Sequence, residues 1–517
     1  MKSLIKYSLI LAFPGIGLAQ VFNPQNKKVT EKFFPEFSQK ITTPAFQKKK
    51  GFTKYEEMMP FLQSLENKHK NIMKLSFVGE SQKGKKIPLV ILNKTSAVED
   101  KIKLWIQGGI HGNEPASTEG VLYLIQELLE NPEYSELLDQ LEIGIIPMAN
   151  IDGYEVQERT AANGMDLNRD QTKLMVPESV YLKQAFSDFN AEVALDFHEF
   201  HPFRADYLQM GKAGYTVPYD VMFLYSGNLN VPGSLRELTE NTFVKNAEKF
   251  LEEHQLSAHD YFTTSKDDGY TVFNLGSINA RASATSYALS NCVSSLIEVR
   301  GIDIGKTSFK RRISTTFLIA VSYMQTAVKE KDKLRAVLKD AQQENKDVII
   351  RSSRKPGKKE LKFIDLSTNE MVTEEVSVRN ALRSRPVLTR PMPTAYLILP
   401  SGKNMIEKLK TLGVKVMQTQ QPEKLDVENY IVTKYKKASV KFEGTFGQTL
   451  STENHPVTKD FPAGTYIIYT DQKNKGLIFE TVEPEADNGF AAYGVLKAAL
   501  GEELPVYRYM NSKLLSN

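Results

Sequence analysis

The sequence predicts an α/β domain followed by a smaller, β-rich C-terminal region. Short apolar runs typical of buried strands alternate with stretches of helical apolar spacing over about 270 residues, which indicates a sheet flanked by helices. Side chains that bind metals or transfer protons stand where three of these strands end. The 517 residues exceed the size of one ordinary domain, and a composition of 41% hydrophobic and 25% charged residues is that of a globular protein.

The N-terminus has the pattern of a secretory signal. Two lysines precede an apolar stretch over residues 7–13, and Gly17–Ala19 provides a small-x-small cleavage site. The pattern predicts a signal peptide over residues 1–19, cleaved after Ala19, and a secreted or periplasmic protein. An anchor helix is the alternative, but the apolar stretch is too short to span a bilayer comfortably.

Composition argues against several other classes of protein. Cleavage of the signal removes Lys2 and Lys6, so the formal net charge falls from +4 to +2, which argues against nucleic-acid binding. No other segment approaches a membrane span, so none is predicted in the mature chain. Cys292 is the only cysteine, which excludes an intramolecular disulfide, and its small, apolar neighbours predict a buried side chain.

The first two thirds of the chain are predicted to form a catalytic domain over residues 51–328. Residues 20–50 are polar, with several prolines and lysines, and we expect a poorly ordered lead-in or an arm that could mask the site. The domain opens with a helix over residues 55–65, and a second helix follows Pro115, a residue suited to a first helical turn. Strands are predicted at Met73–Val78, Ile87–Leu92, Lys103–Gln107, Leu141–Pro147, Val193–Phe197 and Ser295–Val299.

The remainder is predicted to be an accessory region with no obvious chemistry of its own. A charged helix over residues 329–345 links it to the catalytic domain, and the accessory region itself covers residues 346–517. A short helix is predicted at Asn404–Leu412. Strands separated by Pro, Gly and Lys clusters are predicted at Val348–Arg351, Leu361–Ile364, Ala395–Leu399, Ala438–Phe442 and Thr465–Tyr469.

Three side chains have the types and positions of zinc ligands. Catalytic zinc takes three protein ligands and keeps one position open, and two histidines with one glutamate form a standard set. His111 and Glu114 share the turn after the third predicted strand, so both can reach one ion. His198 ends a later strand and is the third predicted ligand. His201 is its rival, but His198 lies directly on the strand end, where side-chain geometry is fixed.

Four further residues are candidates for binding a carboxylate, stabilising an oxyanion or transferring a proton. Asn168 places an amide donor next to the guanidinium of Arg169, and such a pair suits a carboxylate. Arg159 is a second cation, able to face a developing oxyanion, and a surface ion pair is its alternative role. Glu298 lies inside an apolar strand, where a carboxylate is costly unless it is functional or paired with an arginine.

Taken together, these motifs resemble the M14 family of zinc metallocarboxypeptidases, and more narrowly its secreted bacterial-type members with a C-terminal accessory region. The match runs from about residue 55 to residue 306. The resemblance implies a mixed sheet flanked by helices, one zinc ion per chain and an exported enzyme that hydrolyses C-terminal peptide bonds. The motifs that carry it are His111-x-x-Glu114, the turn Asn150–Tyr154, the pair Asn168–Arg169, His198 and Glu298.

The resemblance also implies a role for each site residue. The two histidines and the glutamate chosen above would bind zinc. Glu298 would be the general base that acts on a zinc-activated water, and Arg159 would polarise the scissile carbonyl and hold the oxyanion. Asn168 and Arg169 would bind the free C-terminal carboxylate of a peptide substrate.

The family has a mobile tyrosine upstream of its catalytic glutamate. Tyr270 opens a segment, Tyr270–Asn279, that is similar to the family's but carries an insertion, so Tyr270 is the predicted substrate-binding tyrosine and Tyr287 is the alternative. Around Ile278 there is no acidic residue of the kind that would favour basic C-terminal side chains.

Two other functions stay open at this point. One is an M14-like amidase or deacylase that acts on cell-wall peptides or acylated amino acids. The Asn168–Arg169 pair favours substrates with a free carboxylate near the scissile bond, but muropeptides have one as well. The other is a binding protein that keeps the fold and has lost catalysis.

Overall fold

The computed structural model describes residues 26–94, 100–513 and 515, so the signal peptide predicted over residues 1–19 lies outside the described residues. The strands are β1 (Met73–Glu80), β2 (Lys86–Leu92), β3 (Ile102–Gly108), β4 (Leu141–Ile146), β5 (Val193–Phe200), β6 (Tyr215–Thr216), β7 (Val221–Tyr225), β8 (Ala258–Asp260), β9 (Phe262–Asp267), β10 (Tyr270–Leu275), β11 (Val293–Arg300), β12 (Val348–Asp365), β13 (Glu370–Arg390), β14 (Ala395–Ile398), β15 (Met417–Gln418), β16 (Glu423–Glu428), β17 (Ile431–Lys437), β18 (Gln448–Glu453), β19 (Pro456–Phe461), β20 (Tyr466–Tyr469) and β21 (Val506–Tyr509).

The helices lie between these strands in the first part of the chain and become rare after residue 343. They are α1 (Lys27–Phe33), α2 (Tyr55–Lys68), α3 (Pro115–Glu130), α4 (Pro132–Ser135), α5 (Ile151–Val156), α6 (Pro177–Phe189), α7 (Ala205–Leu208), α8 (Gly233–Leu238), α9 (Lys245–Glu253), α10 (Ser283–Leu289), α11 (Phe309–Lys329), α12 (Lys331–Gln343), α13 (Lys403–Thr411) and α14 (Lys475–Val482). One π-helical segment, Thr239–Val244, joins α8 to α9.

An eight-stranded mixed sheet forms the centre of the molecule, in the order β1-β2-β4-β3-β5-β11-β7-β8. The neighbours β3, β4, β5 and β11 are parallel, and so are β7 and β8. The pairs β1–β2, β2–β4 and β11–β7 are antiparallel. Helices α3 and α11 cover one face, and α6 and α10 cover the other. Strand β5 is buried along its whole length, as expected for a parallel strand with helices on both faces. The predicted fold class is confirmed.

The accessory region is interlocked with the catalytic region rather than attached beside it. The long hairpin β12–β13 belongs to a five-stranded sheet in the order β6-β12-β13-β10-β9, so three of its strands come from before residue 328. Strand β13 pairs in parallel with β10, with Phe273 opposite Val378. A six-stranded sheet, in the order β15-β20-β14-β21-β16-β19, and the hairpin β17–β18 complete the region. The boundary placed at residues 329–345 therefore divides the sequence but not this sheet.

The structure corrects two features of the strands predicted in the accessory region: two predicted strands are one, and a third is absent from the described residues. Residues 348–351 and 361–364 belong to one strand, β12, because Pro356 and Gly357 continue it instead of breaking it. Along this stretch β12 pairs only with β13, and an edge strand accepts proline because the missing N–H faces outward. Residues 438–442 are not a strand. β17 ends at Lys437, and the chain then turns at Glu443, which has a positive φ of 49°.

The residues before the catalytic region pack against it. The N-terminal arm was expected over residues 20–50, and its described part carries α1 and a 3-10 turn. The side chain of Val29 is fully buried, and the Ser308 hydroxyl donates a hydrogen bond of 2.7 Å to the Phe34 carbonyl. No residue between 26 and 50 lines the large cavity described below. Among the described residues, no helix combines the length and apolarity needed to cross a membrane.

Candidate active site

The turn after β3 fixes the first two metal ligands. Gly109 has a φ of +65°, and a Cβ there would lie 2.5 Å from the Thr118 hydroxyl oxygen, so only glycine fits. The chain then carries His111 and reaches Glu114, which occupies the N-cap position of α3. The carboxylate of Glu114 does not cap the helix, although carboxylates favour that role. It points instead at the two histidines.

His111, Glu114 and His198 converge on one buried point. The ligand atoms of the three side chains all lie within 4.8 Å of one another. Nδ1 of His111 is 2.7 Å from one carboxylate oxygen of Glu114, and Nδ1 of His198 is 2.8 Å from the other. The two Nδ1 atoms are 3.0 Å apart. The structure therefore brings together the three predicted ligands.

The outer nitrogen of each histidine contacts a carboxylate. Nε2 of His111 lies 3.0 Å from Asp166, and Nε2 of His198 lies 3.0 Å from Asp196. A carboxylate at Nε2 fixes the tautomer with the proton there, which leaves a lone pair on each Nδ1. The two Nδ1 atoms and the carboxylate of Glu114 therefore face one another as hydrogen-bond acceptors, with no donor among them. A cation fits this set, and the residue types are those of catalytic zinc.

His201, the rival third ligand, lies outside the cluster. Its Nε2 atom is 2.9 Å from Asp303, and its side chain is 32% exposed. His198 is held on β5, whereas His201 follows the strand end. The choice of His198 is confirmed.

Glu298 lies beside the metal ligands because of sheet register. Strand β11 runs parallel to β5, and Glu298 is directly opposite His198. It is the one residue of β11 that is not fully buried, and it lines the cavity. Burial raises the pKa of its carboxyl to about 7, the nearby His198 opposes that rise, and the carboxylate of Glu114 adds to it. A carboxylate with such a pKa suits proton transfer near neutrality.

Arg159 reaches the metal site from the turn that follows α5. Its Nε and Nη2 atoms donate to the same oxygen of Asp166, at 3.0 and 2.9 Å, and Nη1 lies 3.4 Å from Glu114. Asn150 supports this turn, since its amide nitrogen donates to the Arg159 carbonyl at 3.3 Å while its oxygen caps α5. The arginine is thus held at the metal site and still lines the cavity.

Asn168 and Arg169 stand together on the wall of the same cavity. The side-chain oxygen of Asn168 accepts a hydrogen bond of 2.8 Å from the backbone N–H of Ser283. The side-chain nitrogen of Asn168, which is the donor, therefore points away from Ser283. Nη1 of Arg169 donates to the Asn168 carbonyl at 2.8 Å. Arg169 forms no ion pair within the described chain, so its charge is available to a ligand.

The predicted substrate-binding tyrosine does not lie at the cavity. Tyr270 is 78% exposed at the start of β10 and does not line the cavity. Tyr287 is a buried residue of α10, stacked on Phe186. Tyr261, which the sequence analysis missed, lines the cavity instead. Burial, followed by the charge of Glu298, raises the pKa of the Tyr261 hydroxyl to about 12.

Strand pairing accounts for the difference. Tyr270 lies at the turn of the hairpin β9–β10, whereas backbone hydrogen bonds hold Tyr261 between β7 and the residue after β10. Asp166 and Asp196 were also missed as functional residues. Asp196 did carry a signal, because residues two apart on a strand share a face and it stands two before His198.

The cavity beside the cluster has a volume of about 250 Å³. Its wall includes two of the three metal ligands, Glu298, Arg159 and the pair Asn168–Arg169. It therefore brings a carboxylate with a raised pKa, a cation beside the metal site and the pair Asn168–Arg169 to one space.

Residues 58–331 match the sequence profile of the zinc carboxypeptidase family, Peptidase M14, which covers more than half of the chain. The chain belongs to this family. Carboxypeptidase 2 of Trichophyton rubrum is 29% identical over 471 residues, covering 89% of this chain and 87% of the fungal protein. Human carboxypeptidase D is 34% identical over 165 residues, or 28% of this chain and 12% of that protein.

Among solved structures, a metallo-carboxypeptidase from Burkholderia cenocepacia superposes with a TM-score of 0.42 at 16% identity, covering 53% of this chain and 69% of that one.

The protein is a zinc metallocarboxypeptidase, with zinc bound by His111, Glu114 and His198 and peptides as its substrate class. The alternative of a binding protein without catalysis is therefore not supported. Bound zinc supplies Lewis acidity, which polarises a carbonyl and acidifies water. Cys292 is buried, as predicted, and burial raises the pKa of its thiol to about 12.

Replacing Asp166 with asparagine should weaken zinc binding about 10- to 100-fold, because the amide no longer supplies the charge that orients His111. The affinity can be measured by competition with a chromophoric chelator. Asp188→Asn, which changes an exposed carboxylate on α6 far from the metal, is the matched control. An unchanged affinity in Asp166→Asn would show that the carboxylate does not support the ligand.

Proposed function

We propose that the protein is an exopeptidase that removes one residue from the free C-terminus of a peptide. The observation that carries this proposal is the Asn168–Arg169 pair on the wall of the cavity that holds the zinc ligands and Glu298. A guanidinium presents paired N–H groups that match a carboxylate, and the neighbouring amide adds another donor. A substrate anchored there places its last peptide bond toward the metal site.

Each remaining residue has a chemical task in this proposal. Glu298 accepts a proton from the attacking water and passes it to the leaving amine. Arg159, held by Asp166 at the edge of the metal site, stabilises the negative charge that develops on the scissile carbonyl oxygen. Asp166 and Asp196 keep the two histidines in the tautomer that binds a metal.

Glu298→Gln should retain zinc and fold, because the amide is nearly isosteric and Glu298 is not a metal ligand, yet lose about 10²- to 10⁴-fold in kcat since an amide cannot accept the proton. Zinc content by atomic absorption and turnover on a blocked dipeptide, both on the same preparation, test this. A zinc-loaded variant with activity within a few-fold of the unchanged enzyme would remove Glu298 from the mechanism.

Blocking the substrate C-terminus as an amide should reduce kcat/KM about 10- to 100-fold, because the charged hydrogen bonds to Arg169 are lost. In Arg169→Ala, free-acid and amide substrates should react at similar rates, and Arg169→Lys should also be impaired, since an ammonium does not reproduce the fork. Arg383→Ala, which removes an arginine paired with Glu240 outside the cavity, is the control.

Equal cleavage of acid and amide by the unchanged enzyme would exclude the exopeptidase proposal. An endopeptidase or an M14-like amidase would then take its place. Cleavage of a muropeptide in preference to a blocked dipeptide with a free carboxylate would likewise favour the amidase.

We also propose export, supported by the signal pattern at residues 1–19. Expression of the full chain in a secretion-competent bacterial host should yield an extracytoplasmic protein that begins at Gln20, as determined by intact mass and N-terminal sequencing. A cytoplasmic protein of full mass would contradict it. The narrower assignment to bacterial-type members stays a prediction, since Carboxypeptidase 2 of Trichophyton rubrum, which aligns with most of the chain, is fungal.

A further inference from the structure

The wall of the cavity is rich in arginine. Its acidic residues are Glu114, Glu199 and Glu298, of which the first is a zinc ligand and the last is the proposed base. Glu199 forms a buried ion pair with Arg312, so its charge is already compensated. The arginines of the wall are Arg159, Arg169, Arg204, Arg281 and Arg354.

Three of the five arginines are accounted for. Arg159 is paired with Asp166 beside the metal. Arg281 donates to Glu443 at 2.8 Å, which neutralises it from outside the cavity. Arg169 is assigned to the terminal carboxylate in the proposed function. Arg204 and Arg354 have no task in the reaction described so far.

Arg204 is incompletely satisfied by the protein. Its Nη2 atom forms a long ion pair with Asp206 at 3.4 Å and lies 3.3 Å from the Thr264 hydroxyl, both at the long end of hydrogen bonding. Asp206 also accepts a short hydrogen bond from that hydroxyl. The Nε atom of Arg204 is buried and has no hydrogen-bond partner among the described residues. A buried donor without an acceptor is costly, and a ligand oxygen would remove the cost.

Arg354 reaches the cavity from the accessory region. It lies on β12, and its Nη1 atom donates to the side-chain oxygen of Asn274 at 2.9 Å. No carboxylate of the described chain lies within ion-pair distance of it. Burial, and then the charge of Arg379, lower the pKa of its guanidinium. The cation is therefore only partly hydrated and is repelled by its charged neighbour, which favours an anionic ligand.

Both guanidinium groups lie beside the hairpin β9–β10. Arg204 contacts Thr264 on β9, and Arg354 contacts Asn274 on β10. The register pairs Asn274 with Thr263, and neighbouring residues of a strand point to opposite faces, so the two arginines contact the hairpin from its two sides. Both line the same cavity and make its wall cationic.

We infer that Arg204 and Arg354 bind the side-chain carboxylate of an acidic residue next to the scissile bond, so that the enzyme selects substrates with Asp or Glu there. This rests on the proposed function, in which Arg169 takes the main-chain carboxylate. A guanidinium and a carboxylate form charge-assisted, bidentate contacts. The same wall disfavours Lys and Arg, because no carboxylate other than those of the metal site and the Glu199–Arg312 pair faces the cavity.

Two sets of blocked dipeptides locate the acidic residue. One set ends in Ala-Glu or Ala-Gln, and the other in Glu-Ala or Gln-Ala, so that each pair differs only in a carboxylate against an isosteric amide. Ala-Ala and Ala-Lys complete the panel. The unchanged enzyme should prefer the acid over the amide about 10- to 100-fold in kcat/KM in at least one set, and that set identifies the position. Ratios below threefold in both sets would overturn the inference.

Variants then test the two arginines. In Arg354→Gln and Arg204→Gln the preference should fall several-fold, and in the double variant to below threefold, while kcat/KM on Ala-Ala changes less than threefold. Arg354→Lys should keep part of the preference. Lys358→Gln, which removes an exposed charge from the same strand, should leave it unchanged. A full preference in Arg354→Gln would exclude Arg354, and a full preference in both single variants would overturn the assignment.

The Ala-Ala substrate and its C-terminal amide separate this inference from the function on which it rests. If both are cleaved equally, the exopeptidase proposal fails, whatever the side-chain preference. If only the free acid is cleaved but the Glu and Gln substrates react alike, the exopeptidase proposal stands and the acidic specificity is wrong. Circular dichroism and the zinc content of each variant identify a loss of folding. If Arg354→Gln does not fold, the acid preference of Arg354→Lys is the measurement that tests Arg354.

Discussion

The carboxylate of Asp166 joins the parts of the active site that the chemistry requires. One oxygen contacts Nε2 of His111 and accepts the backbone N–H of Asn168, and the other accepts two N–H groups of Arg159. The metal ligand His111, the cation Arg159 and the start of the Asn168–Arg169 pair are therefore positioned by one side chain. Displacement of Asp166 would change the histidine tautomer, the arginine position and the local backbone together.

The metal site itself was predictable because its signals are local. A buried strand, a glycine turn and a proline at the first helical turn place His111 and Glu114 within a few residues of one another. His198 was predictable from its place at a strand end. The position of Glu298 was harder to predict than the metal ligands. It lies beside His198 because of the parallel register of β11 and β5, which no local pattern specifies.

What the sequence could not specify depends on packing between distant segments. Tyr270 opens the segment on which the prediction depended, but it lies at the turn of the hairpin β9–β10, and Tyr261 lines the cavity instead. Arg354 lines the same cavity as Arg204 only because β12 and β13 join the sheet that contains β9 and β10. The strand predicted over residues 438–442 failed because Glu443 turns its side chain toward Lys173 and Arg281.

The turn at Glu443 also shows that the accessory region is a structural part of the enzyme. The side chain of Lys173 is fully buried and donates to the Glu443 carbonyl at 2.9 Å, and removing one partner of a buried pair costs about 3–5 kcal/mol. Glu480 of α14 accepts from Asn228, whose amide also donates to the Ile278 carbonyl in the segment that borders the cavity.

The similarity to the fungal carboxypeptidases also extends along both regions, since it covers 89% of the chain. Residues of the accessory region thus hold the loops that border the cavity, and an arginine of this region lines the cavity wall. The catalytic groups come from the edge of the central sheet, whereas the shape and charge of the cavity depend on the chain beyond it.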